Sequence, residues 1–358
     1  MIVLRRAAPD DAEQLVELAK LGGAGLTTLP PDLETIEKRI KASIRAFTGP
    51  EDESFTFDYL MVAEDTAAKR VIGTSTIFAH IGRERPFYCY RILRLAQMSR
   101  ELNVRVDMEL LQMTNDYIGS AEVGSLFLHP DYRASGAGRL IAKGRYMLMA
   151  AIPERFPDRV MAEIRGWVDE EDHSPFWESI GRYFFGMSFV EADQISGRGN
   201  SQFIADLMPK FPIYTALLPE KAREVIGKPN DDAVPAVRLL EREGFRFSGA
   251  VDIFDGGPTF EVARTNIWTV HHASNEKLAG FVDSPSKAED ATHIVATTEL
   301  ETYKCMLTKA VLTDGGLYLP RDCADALDLE EGDNVWISPL NPDVVEPQTE
   351  RVVRELSD

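Results

Sequence analysis

Long apolar runs are missing from this chain of 358 residues. No window approaches the ~18 uninterrupted apolar residues of a membrane-spanning helix, which argues against a membrane partner. The opening, MIVLRRAAPDDAEQL, lacks the basic-then-apolar run of a secretory signal. Cysteine is scarce: Cys89, Cys305 and Cys323 are too few and too odd in number for a disulfide framework. No C-x-x-C pair offers the spacing of a zinc site. Positive charge is in deficit, with 39 Lys and Arg against 58 Asp and Glu and a formal charge of −19. Polyanion binding needs clustered Lys and Arg, so no nucleic-acid partner is expected, whereas a basic small molecule would be drawn in. No G-x-x-x-x-G-K-[ST] loop is present, which excludes a P-loop nucleotide hydrolase. The expected setting is the cytoplasm.

What is present is ordinary globular material, 44% hydrophobic and 27% charged, with length enough for two or three domains. Ile2 to Leu4 read as a strand. Asp10 and Glu13 then have the spacing of a capping box at a helix start. TIEKRIKASIRAF puts Ile36, Ile40, Ile44 and Phe47 on one helical face. YLMVAED and RVIGTSTIFA read as a hairpin. From Ala121 the order becomes strand, loop and long helix, in EVGSLFL, HPDYRASGAG and RLIAKGRYMLMAAI. The strand RVMAEIRG follows, then a helix in SPFWESIGRYFF whose Ser174-Pro175 start suits an N-cap. Gly186-Met187-Ser188-Phe189 is read as a turn into an extended segment. A similar helix, turn and strand in AVRLLEREGFRFSGAVDIFD hints at a duplicated α/β unit. HHASNEKLAGFVDSPSKAEDATH reads as a linker. The segments after it alternate like a small β-rich module. Its LPRDCADALDLEEGDNVWI run resembles swapped-hairpin DNA-binding domains, but the acidic surroundings favour a structural role.

The stretch SLFLHPDYRASGAGRLIAKGRYM carries the chemistry. A strand leads to a turn where Gly136 and Gly138 permit unusual backbone angles and close ligand approach. The helix beginning there aims its unpaired N–H groups and positive dipole end at the same point, and Arg133 adds charge to the rim. This is a cradle for a diphosphate. The third glycine of a dinucleotide fingerprint is missing, since Ala137-Gly138-Arg139-Leu140-Ile141 supplies none.

The R-x-x-G-x-G run between strand and helix resembles the acyl-CoA signature of the GNAT acetyltransferase superfamily. That resemblance implies that Leu126, Phe127 and Leu128 face the pantetheine arm. It also implies that the amides of Ala134, Ser135, Gly136, Ala137, Gly138 and Arg139 hold the CoA diphosphate, and that the Val160–Arg165 strand splays away. A closer resemblance is to the bacterial arginine N-succinyltransferase family. It rests on GLTTLP from Gly25, Tyr90-Arg91, SRELNV from Ser99, NDYIGSAE from Asn115 and AEIRG from Ala162. SPFWESIGRYFFGMSF from Ser174, ADLMPKFPIY from Ala205 and DIFDGGPTFE from Asp252 complete the set. It implies an α/β (α+β) fold in which two NAT-like halves exchange terminal strands, a duplicated NAT-like acyl-CoA transferase fold with a small C-terminal β-rich module. The expected divisions are 1–200 with the CoA site, 201–267 as the second half, 268–340 as the module and 341–358 as a flexible tail.

The resemblance implies transfer of succinyl from succinyl-CoA to the α-amino group of L-arginine, by a homo- or hetero-oligomer. A base must take a proton from the amine, and N–H donors must meet the thioester oxygen. No metal is called for, because thioester aminolysis needs positioning and proton transfer. The family's proton donor is a histidine in an I-G-x-x-H-P loop. Here the loop reads IGKPNDDAVPA and Asn230 holds that position. An amide exchanges no proton near neutral pH, so the role falls to Asp231, to Asp232 or to Glu122 on the cofactor strand. Failing that, the chain is a weakened subunit beside an active homologue, or an acyltransferase for another amine such as ornithine. Arg91 and Arg165 are candidates for carboxylate recognition.

Overall fold

The computed structural model describes residues 1–23, 26, 28–49, 57–133, 135–197, 202–283 and 290–341. Its frame is a set of strands covered on both faces, and the apolar run DYLMVAED shows why. A strand buried on both sides reads as continuous hydrophobicity rather than alternation. Leu60 and Val62 pack with Leu15 and Leu18 of helix α1 (Ala12–Gly22) and Ile36 and Ile40 of α2 (Leu33–Thr48). Their neighbours Tyr59, Met61 and Ala63 turn the other way, toward Ile141, Met147 and Leu148 of α3 (Ala137–Ala151).

Sixteen strands among the described residues join in one sheet. The first ten are β1 (Ile2–Arg6), β2 (Asp58–Asp65), β3 (Arg70–Phe78), β4 (Cys89–Ser99), β5 (Val104–Thr114), β6 (Ala121–Leu128), β7 (Arg159–Glu163), β8 (Ile213–Tyr214), β9 (Arg246–Asp252) and β10 (Pro258–Ala263). The rest are β11 (Ser274–Val282), β12 (His293–Thr297), β13 (Lys304–Thr308), β14 (Val311–Thr313), β15 (Gly316–Pro320) and β16 (Asn334–Pro339). Their spatial order is β14-β15-β11-β16-β12-β13-β1-β2-β3-β6-β7-β10-β9-β4-β5-β8. The expected hairpin is β2–β3, antiparallel along its whole length.

The C-terminal strands extend this sheet, because β13 pairs antiparallel with β1. Helix α3 crosses the seam on Gly144. A Cβ there would lie 2.2 Å from Leu4 Cδ2 and 2.8 Å from Cys305 Sγ, so only glycine lets the helix come this close. Tyr303 Oη donates to the Gly144 carbonyl across the same contact, at 2.9 Å.

Three local readings are corrected. Asp11, not Asp10, closes the first turn, accepting the Ala8 N–H at 2.7 Å while pairing with Arg5. The segment after Ser188 is a helix, Phe189–Gly197, not an extended run. Ser188 and Glu191 form a reciprocal cap, with Ser188 N–H to Glu191 Oε2 at 2.9 Å and Glu191 N–H to Ser188 Oγ at 3.3 Å. The first of the two repeated helix-turn-strand cadences therefore lacks its strand. The segment read as a linker contains β11, whose polar residues sit between β16 and β15.

Two irregularities at the middle of the sheet prepare a site. Parallel strands β6 and β7 pair only at Ala121↔Val160 and Glu122↔Met161, and then part. Against β3, strand β6 carries one extra residue between the pairs Thr76↔Gly124 and Thr74↔Phe127. This is a β-bulge, and Ser125 sits in it with φ 49°.

Candidate active site

Where β6 and β7 part, the sheet opens into a cleft of about 430 Å³. Glu122, Leu126 and Phe127 enter it from β6, and Arg133 from the turn that follows. Arg165 enters from the end of β7, and Asn230 and Asp232 from the loop facing it. Residues far apart in the chain thus share one concavity, the ordinary form of a small-molecule site.

Glu122 stands at the last paired position before the strands diverge. Burial pushes its carboxyl up to about 7 from an ordinary 4.5; the Asp58 carboxylate adds to this, and Arg39 opposes it. Asp58, at the start of β2, is itself raised by burial to about 6. Arg39 of α2 feels both acids. A carboxyl poised near 7 holds and releases a proton at neutral pH, which is what a general base requires. Gly124 keeps its surroundings open: a Cβ there would meet the Phe78 ring at 3.0 Å and Glu122 Oε1 at 3.4 Å.

The bulge is held from outside the sheet. Ser125 Oγ donates to Thr28 Oγ1 at 3.0 Å, tying β6 to the segment before α2. A bulge leaves its extra residue outside the ladder, so backbone polar groups here are not all committed to β3.

At the glycine turn, Gly136 has φ 80° and is the N-cap residue of α3, a backbone angle that favours glycine. Gly138 has no such need, since the nearest atom to a Cβ there would be 3.9 Å away. Some of the amides expected to be free are engaged. Ser135 N–H donates to Tyr132 O at 3.0 Å, Arg139 N–H to Gly136 O at 3.0 Å, and Ala137 N–H to Ser135 Oγ at 3.3 Å. Ser135, Gly136 and Ala137 line a second cavity of about 270 Å³, walled by Met1, Ile2, Met306 and Leu307. Leu128 lies at the far end of β6, opposite Gly73. Ala134 lies outside the described residues.

The loop at the family's histidine position is built as a cap. Asn230 N–H donates to Arg165 O at 2.8 Å, and Asn230 Oδ1 accepts the Asp232 N–H at 3.0 Å. Its side chain thus starts the short helix Asp231–Ala233. Asp231 and Asp232 are both exposed, and only Asp232 lines the cleft. Arg165 is already paired with Asp172 at 2.9 Å.

The structure puts Arg91 elsewhere. Its guanidinium pairs with Asp116 at 2.9 Å, donates to Ser248 O and lies over the Tyr117 ring, clamping β4 to its neighbours.

Reading by sequence overlooked the groups that set this site's electrostatics. Arg39 and Asp58 are 83 and 64 positions before Glu122, and nothing local marks them. A second buried pair, Asp252 and Asp255, lines the same cleft. Burial and mutual repulsion raise Asp255 well above the ordinary range. Asp255 accepts Gly166 N–H at 2.7 Å and Gly257 N–H at 2.8 Å, fixing the wall beyond β7.

Comparison with known proteins follows the same lines. The model of a family described as the arginine N-succinyltransferase beta subunit matches residues 2–269, and that of its C-terminal domain matches residues 277–339. The chain is 39% identical over 341 residues to the arginine N-succinyltransferase subunit beta of Pseudomonas aeruginosa, covering 95% of this chain and 98% of that protein. It is 40% identical over 338 residues to the arginine N-succinyltransferase of Citrobacter koseri, covering 94% of this chain and 96% of that one. Among solved structures, subunit AI of the arginine/ornithine succinyltransferase of Pseudomonas aeruginosa superposes with a TM-score of 0.86 at 30% identity. The superposition covers 95% of this chain and 99% of that one.

Proposed function

This chain belongs to the arginine N-succinyltransferase beta-subunit family, and from that membership we propose that it transfers the succinyl group of succinyl-CoA to the α-amino group of L-arginine. One observation supports the chemistry most directly: Glu122 lines the cleft at the point where β6 and β7 separate, where burial and the nearby Asp58 raise its carboxyl. In this reading the acyl-CoA enters between the two strands. Backbone groups of Leu126 to Leu128 run beside its pantetheine arm. The turn at Gly136, with Arg133 on its rim, meets the diphosphate through amides and a positive helix end.

Glu122 takes a proton from the arginine ammonium, and the freed amine attacks the thioester carbonyl. Negative charge then grows on the carbonyl oxygen and is met by N–H groups of the Ser125 bulge. The intermediate collapses by breaking the C–S bond. The CoA sulfur leaves as a thiolate and takes the second proton, still carried by the new amide nitrogen, while Glu122 gives its own to solvent. Asp232, which lines the cleft, pairs in this reading with the substrate guanidinium. Asn230 has no part in proton transfer, because its amide serves as a cap. The excess of negative charge draws in a cationic acceptor.

The test follows CoA release by the purified chain given succinyl-CoA and arginine. Turnover is expected, with kcat/KM falling about tenfold per pH unit below about 7. Glu122→Gln should lower kcat by ~10²–10⁴-fold and remove that acid limb. An unaltered pH profile in Glu122→Gln would move the base elsewhere, to Asp231 or Asp232. A second reading rests on Asn230 at the family's histidine position: the chain works only beside an active homologous subunit. Turnover with such a subunit but none alone would establish it, and Asn230→His would then restore activity to the isolated chain.

A further inference from the structure

One buried charge in the cleft has no role in the scheme above. Arg145 lies on α3, is 2% exposed and lines the same concavity as Glu122 and Leu126. The same cleft is lined by Ala162 of β7 and by Ala236, Leu239 and Leu240 of the Val234–Arg242 helix, and by the acids Glu163, Asp252 and Asp255. A guanidinium so placed stays charged and is strongly penalised by desolvation, so proteins normally bury it against a carboxylate.

Among the described residues, no carboxylate is hydrogen-bonded to Arg145, and its near partners are a backbone carbonyl and Tyr146. Its Nε–H donates to Ala142 O at 3.2 Å, and its guanidinium carbon stands 5.4 Å from the centre of the Tyr146 ring. The carboxylate whose field reaches it, Glu243, is committed to another partner. Lys143 Nζ lies 2.5 Å from Glu243 Oε1, and Thr269 N–H donates to Glu243 Oε2 at 2.9 Å. Other cleft arginines differ. Arg165 has Asp172, and Arg133 on the rim is exposed to water. Among the described residues, Arg145 is the cleft guanidinium that is buried without a carboxylate of its own.

We propose that Arg145 is the carboxylate receptor of the cleft: its planar fork pairs with the carboxylate of a bound substrate, and so selects carboxylate-bearing substrates. This rests on the succinyl-transfer reading, in which both substrates carry a carboxylate. The receptor serves either the free end of the succinyl group or the α-carboxylate of the amine. The chemistry is the same, a bidentate charge-assisted pair in a low-dielectric wall.

The experiment compares two substrate pairs in the full-length protein. Succinyl-CoA is set against butyryl-CoA, which keeps the chain length without the carboxylate. Arginine is set against agmatine, the same amine without it. For one pair, wild-type kcat/KM should favour the carboxylate by on the order of a hundredfold, because omitting it strands a buried charge. Arg145→Met should lower kcat/KM for that carboxylate-bearing member by a similar factor and leave the other within about threefold. The acyl pair collapsing assigns the receptor to succinyl; the amine pair collapsing assigns it to arginine.

Absence of preference in both wild-type pairs would overturn the proposal, and so would an equal loss for both members in the variant. Should Arg145→Met fail to fold by circular dichroism, Arg145→Lys replaces it. That variant keeps the charge but not the fork, and is expected to lose about tenfold on the carboxylate-bearing member alone. Failure of all turnover in wild type would defeat the transfer reading rather than this one. The receptor would then be judged by calorimetric binding of succinyl-CoA against butyryl-CoA and of arginine against agmatine. Equal affinities within both pairs would dismiss it.

Discussion

Glu122 illustrates how little a side chain's identity says about its chemistry. In the sequence it is one glutamate in AEVGSLFL, equally readable as a base or as a surface charge at a strand end. Burial makes the difference, with Asp58 and Arg39 adjusting the outcome. The raised value has a consequence for stability. Between about 4.5 and 7 the folded protein holds a proton that the unfolded chain has released, so stability contributed by this group falls as pH rises through that window. Glu122→Gln, which cannot ionise, should therefore melt above wild type at pH ~8, by an amount on the order of 2 kcal/mol. The gap should close near pH ~4, where both side chains are neutral. Thermal melts across that range would check it; a gap independent of pH would mean the carboxyl is not buried as a charge. Under the proposed role, activity and stability pull in opposite directions at this position.

Two elements do the positioning, a bulged strand and a glycine-capped helix. The glycine turn was legible because its requirement is local: a φ of 80° at Gly136 favours glycine whatever lies around it. Gly136→Val should strain that turn and crowd the helix end, weakening acyl-CoA binding at least tenfold by titration calorimetry while α3 still forms. Undiminished affinity would remove the turn from the binding site. The Ser125 bulge was not legible. Serine seldom adopts φ 49°, and the bond to Thr28 and the register against β3 that hold it there come from other elements. The helix after Ser188 is a different case. Its Ser-x-x-Glu cap is present in SFVE, but the glycine turn before it equally suits entry into a strand. Local signals compete, and a reciprocal side-chain cap outweighed a turn.

Across the whole molecule, the C-terminal strands are built into the sheet that carries the site. They pair with β1, and their Tyr303 and Cys305 pack against α3, the helix that begins at the glycine turn. The second cavity shares this seam, with Met306 and Leu307 on one wall and Gly136 on the other. Tyr303→Phe should remove the second donor to the Gly144 carbonyl, which keeps its bond within α3, at a cost of about 1 kcal/mol. The melting temperature should fall by about 1–2 °C, with kcat little changed. An unchanged melting temperature would mean that the seam contributes nothing to stability. Buried polar pairs such as Lys143–Glu243 bind the same helix to the segment around Thr269, so the parts are expected to unfold together.

Motifs decided by a few adjacent residues could be read directly from the chain: the β2–β3 hairpin, the apolar faces of α1 and α2, and the strand-turn-helix around Gly136. Each obeys a backbone or periodicity constraint that spans one or two turns of chain. The electrostatics of the cleft could not be read that way. Arg39, Asp58, Glu122, Arg145 and Asp255 have no common spacing, and their ionisation depends on how much water the folded sheet removes from each. Burial is a property of the assembled layers, and so is the lack, among the described residues, of a carboxylate hydrogen-bonded to Arg145.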